Sequence, residues 1–447
     1  MAISDSSTSV GKKTQLILDC AKIVNDFVNA ELLRYHPMNL PLSGLRVLDL
    51  SRALSGPFGT MVLGDLGADV TKVEPAPGGE LIRLWGPKQD GVTLYYMVAN
   101  RNKRSLMLDF RDPEALALLQ RMAMRADIVV ENFRPGVTRD MGLDYPTLHA
   151  LNPRLIYGSI SGFGPDGPKR DYPGFDIIAQ AMSGVMSVNG ERNGGPLRVG
   201  IPVGDMGAGM WLVVGILAAL RQRDQTGLGQ HIETSLLATL MNMLSYHGQG
   251  YLSLGIDPQR TGNTHPVIQP YGAYRTRDGS IVIAPGTQDM WSALCKTLGV
   301  PELSTDPRFA EPLDRLKHAD VLQQVLEQRL ADDTADNWSA RMVEAGIAAA
   351  PIHTVAQALE DPQVAAAGLV ESVQHPILGP IRLVANPFRM SGAGAAPTVR
   401  MAPPQPGEHN RACLRDYGID DAEINQLLER GTIRNHPSAP LADAAPQ

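Results

Sequence analysis

Residues 45–74 read LRVLDLSRALSGPFGTMVLGDLGADVTKVE, and the fold class follows from this stretch. LRVLDLS (45–51) is a short apolar run, which predicts a buried strand. GPFGTMVLGDLGA (56–68) predicts a tight turn and a helix. DVTKVE (69–74) predicts a second strand that ends in an acid. The alternation continues downstream. PEALALLQRMAMRA (113–126) reads as a helix, and DIVVENF (127–133) and RLIYGSISGFG (154–164) as strands. Met206–Leu220 reads as a long apolar core helix. The strand HIETSLL (231–237) and one more helix lead to about residue 250. Strands and helices in this order predict an α/β fold: a parallel sheet with helices on both faces.

A second unit follows. Residues 252–275 are rich in Gly, Pro, Asn and Thr and read as a linker. YGAYRTRDGSIVIAP (271–285) reads as a hairpin turning at Asp278-Gly279. Helices are predicted near 287–298, 318–331 and 336–345. VANPFRMSG (384–392) reads as extended, and the Pro/Ala-rich tail from 394 as surface. At the other end, residues 1–37 carry a Ser-rich start and an amphipathic pattern, and Met38 would make a plausible natural start. The division is therefore 1–37 extension, 38–250 large domain, 251–360 linker and small domain, and 361–447 return to the large domain and tail.

Composition narrows the class. The 447 residues correspond to two to four domains at roughly 100–200 residues each. The net charge of −7 argues against a nucleic-acid partner, so any phosphate site must be a local cluster. Three cysteines, Cys20, Cys295 and Cys413, are odd in number and lack CxxC spacing. That points to a reducing compartment and away from a structural zinc. No window of about 18 uncharged apolar residues predicts a membrane span. Asp19, Lys22 and Asp26 interrupt the only apolar stretch near the start, so no signal peptide is expected and cytoplasm is the default.

Four groups of residues can carry chemistry. Strand, tight turn, helix, strand and Glu74 is the dinucleotide-binding layout, but the Gly-x-Gly-x-x-Gly fingerprint is missing. The alternatives are plain α/β packing or a different ligand across the sheet's carboxyl edge. Asn100-Arg101-Asn102-Lys103-Arg104-Ser105 concentrates positive charge and can bind phosphate or form a solvated loop. Gly204-Asp205-Met206-Gly207-Ala208-Gly209 opens the long helix. Asp205 is either a helix cap or a carboxylate nucleophile that a ligand can approach closely. The amides of this segment, at a positive helix end, are candidate oxyanion donors. Asp176 opens another helical run and has the same two readings. No cluster has metal-ligand spacing.

Taken together, several stretches resemble the class III CoA-transferase family, which includes formyl-CoA, carnitine and bile-acid CoA-transferases. They are LSGLRVLDLSRALSGPF, LGDLGADVTKVEPAPGGE, NRNKRSLMLDF, ADIVVENFRPG, NPRLIYGSISGFGPDGP, FDIIAQAMSG, the GDMGAGM…GILAAL segment and TGLGQHIETSLL, in order from about 41 to 415. The resemblance implies a Rossmann-like large domain formed by both chain ends, a smaller inserted α+β domain, and an interlaced homodimer. It implies transfer of CoA from an acyl-CoA to a small free carboxylic acid, with coenzyme A as substrate, no metal or other cofactor, and no membrane partner. Asp205 falls on the family's catalytic aspartate, which forms a mixed anhydride and then an aspartyl-CoA thioester. Asp176 falls where the transferases carry a second acid. Ala53, Leu54, Ser55, Leu108, Asn132 and Phe133 fall on CoA contacts. This chain has Leu54 where formyl-CoA transferases carry Gln, Pro75 where they carry Arg, and Asp140 at a third position, an Arg in that family. Lys103, Arg104 and Arg139 are the substitutes expected to bind the CoA phosphates.

The loop TGNTHPVIQPYGAY (261–274) replaces the glycine run of formyl-CoA transferases. This speaks against formyl-CoA and oxalate and resembles members acting on succinyl-CoA and other dicarboxylates. A second carboxylate needs a cationic partner, for which Arg52 is the first candidate and His265 the second. A racemase acting on 2-methylacyl-CoA is the rival within the superfamily. It carries Gly-His-Asp where this chain has Gly174-Phe175-Asp176, and no histidine lies between His149 and His231. A non-catalytic CoA-binding protein is the rival from another class.

Overall fold

The computed structural model describes residues 40–391 and 398–434. The amphipathic pattern in 1–37 and the start at Met38 lie outside the described residues. Strand β1 (Arg46–Asp49), helix α1 (Ser55–Asp65) and strand β2 (Asp69–Pro75) form where the apolar runs predict them. They are followed by β3 (Lys103–Leu108), α2 (Pro113–Ala123), β4 (Ile128–Glu131) and β5 (Ile156–Ser161). Next come α3 (Asp176–Met182), α4 (Val203–Thr226), β6 (His231–Ser235), α5 (Leu236–Met243) and α6 (Ser245–Leu254). Helix α2 shows the local logic. Asp112 accepts the Glu114 N–H as a cap, Pro113 fills the first turn, and Ala115, Leu118, Leu119 and Met122 make one buried stripe.

The six strands pair in the order β3-β2-β1-β4-β5-β6, and every neighbouring pair is parallel. This is the doubly wound order, with its switch point between β1 and β4. One face of the sheet packs Val47, Val70, Ile128 and Ile156 against Leu63 of α1, Ala208 and Leu212 of α4, and Leu240 of α5. The other face packs Leu48, Leu106 and Val129 against Leu118 of α2 and against Cys413, Leu414, Ile424 and Leu427. The last four belong to α10 (Asn410–Asp416) and α11 (Asp421–Arg430), the last two helices of the described residues. The tail is therefore not surface throughout, because 410–433 supplies core residues of the first sheet.

Between these halves lies a second unit. Strands β7 (Gly272–Arg275), β8 (Ser280–Ile283) and β9 (Ala349–Pro351) pair antiparallel, β8 in the middle. Helices α7 (Gln288–Thr297), α8 (Ala319–Leu330) and α9 (Ala335–Glu344) cover them around a core that includes Trp291, Phe309, Leu326 and Met342. A hairpin of β10 (Val370–His375) and β11 (Gly379–Val384) precedes α10 and α11. The extended stretch predicted at 384–392 thus begins where β11 ends.

Among the described residues α4 is the one helix long and apolar enough to cross a membrane. Only one side of it is core: Ala208, Leu212, Val213, Ile216 and Ala219 are buried, while Met210, Trp211 and Val214 are exposed. The expectation of a wholly buried helix needs that correction.

Candidate active site

The loop that leaves β1 carries the first predicted contacts, and buried groups hold it from several sides. Asp49 at the end of β1 accepts the hydroxyl protons of Ser51 at 2.5 Å and Thr60 at 2.6 Å. Asn132, just past β4, accepts the Arg52 N–H at 2.7 Å and donates to the Arg52 carbonyl at 2.8 Å and to Ser55 Oγ at 3.2 Å. Asn132 therefore ties together the two loops that flank the switch point. Ala53 takes a left-handed conformation, φ 58°, and donates its N–H to Glu80. Helix α1 begins at Ser55, and among the described residues the N–H groups of Leu54 and Ser55 have no acceptor. Such orphaned donors at a helix start are ready to hold an anionic oxygen.

Helix α4 presents Asp205 to this loop. Gly59 of α1 and Gly209 of α4 cross at close range; a Cβ on Gly209 would lie 2.5 Å from the Ser55 carbonyl oxygen. Asp205 is one turn before Gly209 and so shares its face of the helix. Asp205 and Asp176 behave differently. Asp176 Oδ1 accepts the N–H of Gly204 at 2.7 Å and of Asp205 at 3.2 Å, and Oδ2 accepts the Gln180 amide at 2.6 Å. It caps α4 from α3. The Asp205 carboxylate has no hydrogen bond among the described residues. Burial first, and then the charge of Asp176, push its pKa up to about 7.

Two expectations change with this. The cap reading belongs to Asp176, whose oxygens are spent on three donors, so it positions α4 and is not a free acid. The Gly204 and Asp205 amides are taken by Asp176 and are not oxyanion donors; the free amides are those of Leu54 and Ser55.

The expected phosphate cluster is also corrected. Lys103 is fully buried on β3, and its ammonium meets Asp49 at 3.0 Å, the Pro57 carbonyl at 2.8 Å and Asn100 at 3.0 Å. Burial lowers its pKa to about 8 despite Asp49. Burial alone would raise Asp49, yet Lys103 and Lys72 hold it down at about 2. Arg104 bridges Asp69 and Asp416, each at 2.5 Å. Arg101 pairs with Asp65 at 2.6 Å. These cations are spent on carboxylates of the fold. Leu108 is also fully buried in the core. Glu74, the acid of the dinucleotide layout, is buried and spent on Arg83, Ser105 and Tyr96.

The remaining candidates separate. Arg52 is exposed, with its guanidinium 4.9 Å from the Phe133 ring and 5.9 Å from the Phe110 ring. Both rings pack on the sheet face opposite α4, so the Arg52 side chain is not gathered with Asp205. Arg139 is exposed on the short helix Val137–Asp140. His265 Nδ1 accepts the N–H of Val267 at 3.2 Å and of Ile268 at 3.1 Å, and its ring lies 5.3 Å from Tyr271. The contacts of His265 are thus made within its own loop and with Tyr246 of α6 at 6.4 Å. Sequence reasoning missed Glu80 and Lys72. Both lie in the motif LGDLGADVTKVEPAPGGE, but neither reveals its partner from the sequence.

Residues 42–410 match CoA-transferase family III. The chain is 38% identical over 385 residues to the acetyl-CoA:oxalate CoA-transferase of Acetobacter aceti, covering 86% of this chain and 97% of that protein. It is 35% identical over 403 residues to the Homo sapiens succinyl-CoA:glutarate CoA-transferase, covering 89% and 90%. The crystal structure of a CAIB/BAIF family protein from Brucella suis superposes with a TM-score of 0.77 at 37% identity, covering 85% of this chain and 100% of that one.

Proposed function

The chain belongs to CoA-transferase family III and is an enzyme that transfers CoA, and from that premise we propose that it moves CoA between dicarboxylic acids through a covalent intermediate on Asp205. An Asp205 oxygen attacks the thioester carbon of the donor, the C–S bond breaks, and a mixed anhydride and CoA thiolate result. The thiolate attacks the Asp205 acyl carbon, releasing the donor acid and leaving an aspartyl thioester. The acceptor carboxylate displaces the thiolate to form a second anhydride, and the thiolate then takes the acceptor acyl group and frees Asp205. The free amides of Leu54 and Ser55 stabilise the oxyanions. The observation that carries this reading is the division of labour between two acids: Asp176 satisfies the helix, and Asp205 is left without a hydrogen bond.

The donor is succinyl-CoA or another dicarboxyl-CoA. The relatives named for glutarate and for oxalate support a dicarboxylate class. The name of the Acetobacter aceti relative keeps oxalate within that class. Arg52 and Arg139 are the exposed cations offered to the CoA phosphates. The molecule works as an interlaced homodimer, a reading supported by the exposed apolar side chains of α4 and α6, among them Trp211, Val214, Tyr251 and Leu252. Among the described residues no cation is paired with Asp205 to take the second carboxylate.

Asp205→Ala is expected to abolish transfer from succinyl-CoA to a panel of dicarboxylates, read by mass detection of new thioesters, with the thermal midpoint retained. Hydroxylamine added during turnover is expected to leave a hydroxamate on Asp205. Near-normal turnover by the alanine variant would remove Asp205 from its role.

A further inference from the structure

The loop that follows β1 is fixed by a buried relay of charge built from Lys72, Glu74, Glu80 and Arg83. Glu74 at the end of β2 accepts the Glu80 N–H at 3.0 Å and the Arg83 fork at 2.7 Å on both arms. This sets the turn that carries Glu80 back under the β1 loop. Glu80 is 2% exposed; one of its oxygens accepts the Ala53 N–H, and the other meets the Lys72 ammonium at 3.1 Å. Lys72 is fully buried and also donates to the Ser51 carbonyl. A buried ion pair is a poor device for stability alone, because desolvation offsets much of the attraction. Here the pair grips the backbone on both sides of Arg52. Ala53 is the residue that must be held, since φ 58° is a conformation L side chains rarely adopt. Its left-handed turn is also what leaves the next two amides without acceptors.

We propose that Glu80 is a positioning residue of the transfer reaction: by accepting the Ala53 N–H it locks Ala53 so that the Leu54 and Ser55 amides meet the oxyanions formed at Asp205. The proposal rests on the aspartyl reading above.

The test compares two neutral double variants in the full-length enzyme, so that neither leaves an orphaned buried charge. Lys72→Met with Glu80→Gln keeps an acceptor for the Ala53 N–H. Lys72→Met with Glu80→Leu removes it. Activity is measured with succinyl-CoA and the dicarboxylate that the parent turns over fastest, and folding is followed by thermal melting. The Gln form is expected to keep kcat within about threefold of the parent. The Leu form is expected to lose at least about tenfold in kcat, with KM for succinyl-CoA within about threefold. Equal kcat in the two forms, or a tenfold loss in the Gln form, overturns the proposal. If the Leu form does not fold, the Gln form alone decides by the same limits. Asp205→Ala is assayed beside them. Its turnover would sink the aspartyl reading, whereas its inactivity together with equal double variants would sink only the role of Glu80.

Discussion

The carboxyl of Asp205 titrates near 7 because burial and the Asp176 charge resist its ionisation. Attack on a thioester needs the anion, so kcat is expected to rise with pH through about 7 and then level off; a pH–rate profile checks this. The same shift has a stability sign. The folded-state value lies above the unfolded value of 3.8, so the folded chain holds the proton longer. The resulting penalty is absent below about pH 4, grows as pH rises, and is complete above about 7. Asp205→Asn removes it. That variant is expected to be more stable than the parent by on the order of 1–3 kcal/mol at about pH 8, and equal to it near pH 4. Thermal scans at both pH values measure the difference, and an equal gap at both would show that ionisation is not its source. At this scale the text of the chain was only half legible. Residue type gave Asp205 and Asp176 the same two readings, and the choice rests on which carboxylate reaches the Gly204 N–H. Lys103 looked like a ligand for phosphate because its partner, Asp49, lies far from it in sequence.

Helices α1 and α4 meet through paired glycines because the first turns of both must lie side by side for Asp205 to face the β1 loop. A Cβ on Gly209 would be 2.5 Å from the Ser55 oxygen and 3.1 Å from the Gly59 nitrogen, and backbone atoms cannot swing aside. Gly209→Ala is therefore expected to cost about 1–3 kcal/mol and to lower kcat. Gly195→Ala, with nothing within 4 Å of the added carbon, is the control and is expected to do neither. Melting curves for the two variants settle this, and an unchanged midpoint for Gly209→Ala would refute the crossing. Periodicity was a good guide to elements. The strands at 46–49, 69–75 and 128–131 stand where apolar runs place them. It failed at the start of β3, where Lys103, Arg104 and Ser105 belong to the basic segment 100–105 that reads as a phosphate site or a solvated loop. The reason is that a buried lysine with its own carboxylate looks the same in sequence as a solvated one. It failed also at α10 and α11, which a Pro/Ala-rich flank concealed.

For the whole molecule, the exposed side of α4 is the largest departure from what a core helix should show. Met210, Trp211 and Val214 lie in the open on an element whose other side is fully packed. Sedimentation equilibrium is expected to return the mass of two chains, and a fully active single chain would remove the dimer from the proposal. The antiparallel pair at 272–283 was readable from the turn signal at Asp278-Gly279. The packing of residues 410–433 on the first sheet is foreshadowed only by the resemblance and not by periodicity, because it depends on contacts across some three hundred positions, such as Met107 with Asn410 and Ser105 with Gly407.

That packing has a consequence for synthesis. The free edge of β3 is covered by residues 407–434: His409 donates to the Ser105 carbonyl, Asp109 to Thr432, and Arg434 to Met107. A ribosome delivers these about 300 residues after β3. Until they emerge, the nascent polypeptide carries an open, apolar ribbon edge of the kind that recruits stray strands. Synthesis of this edge and its covering are therefore separated by about 300 residues of chain.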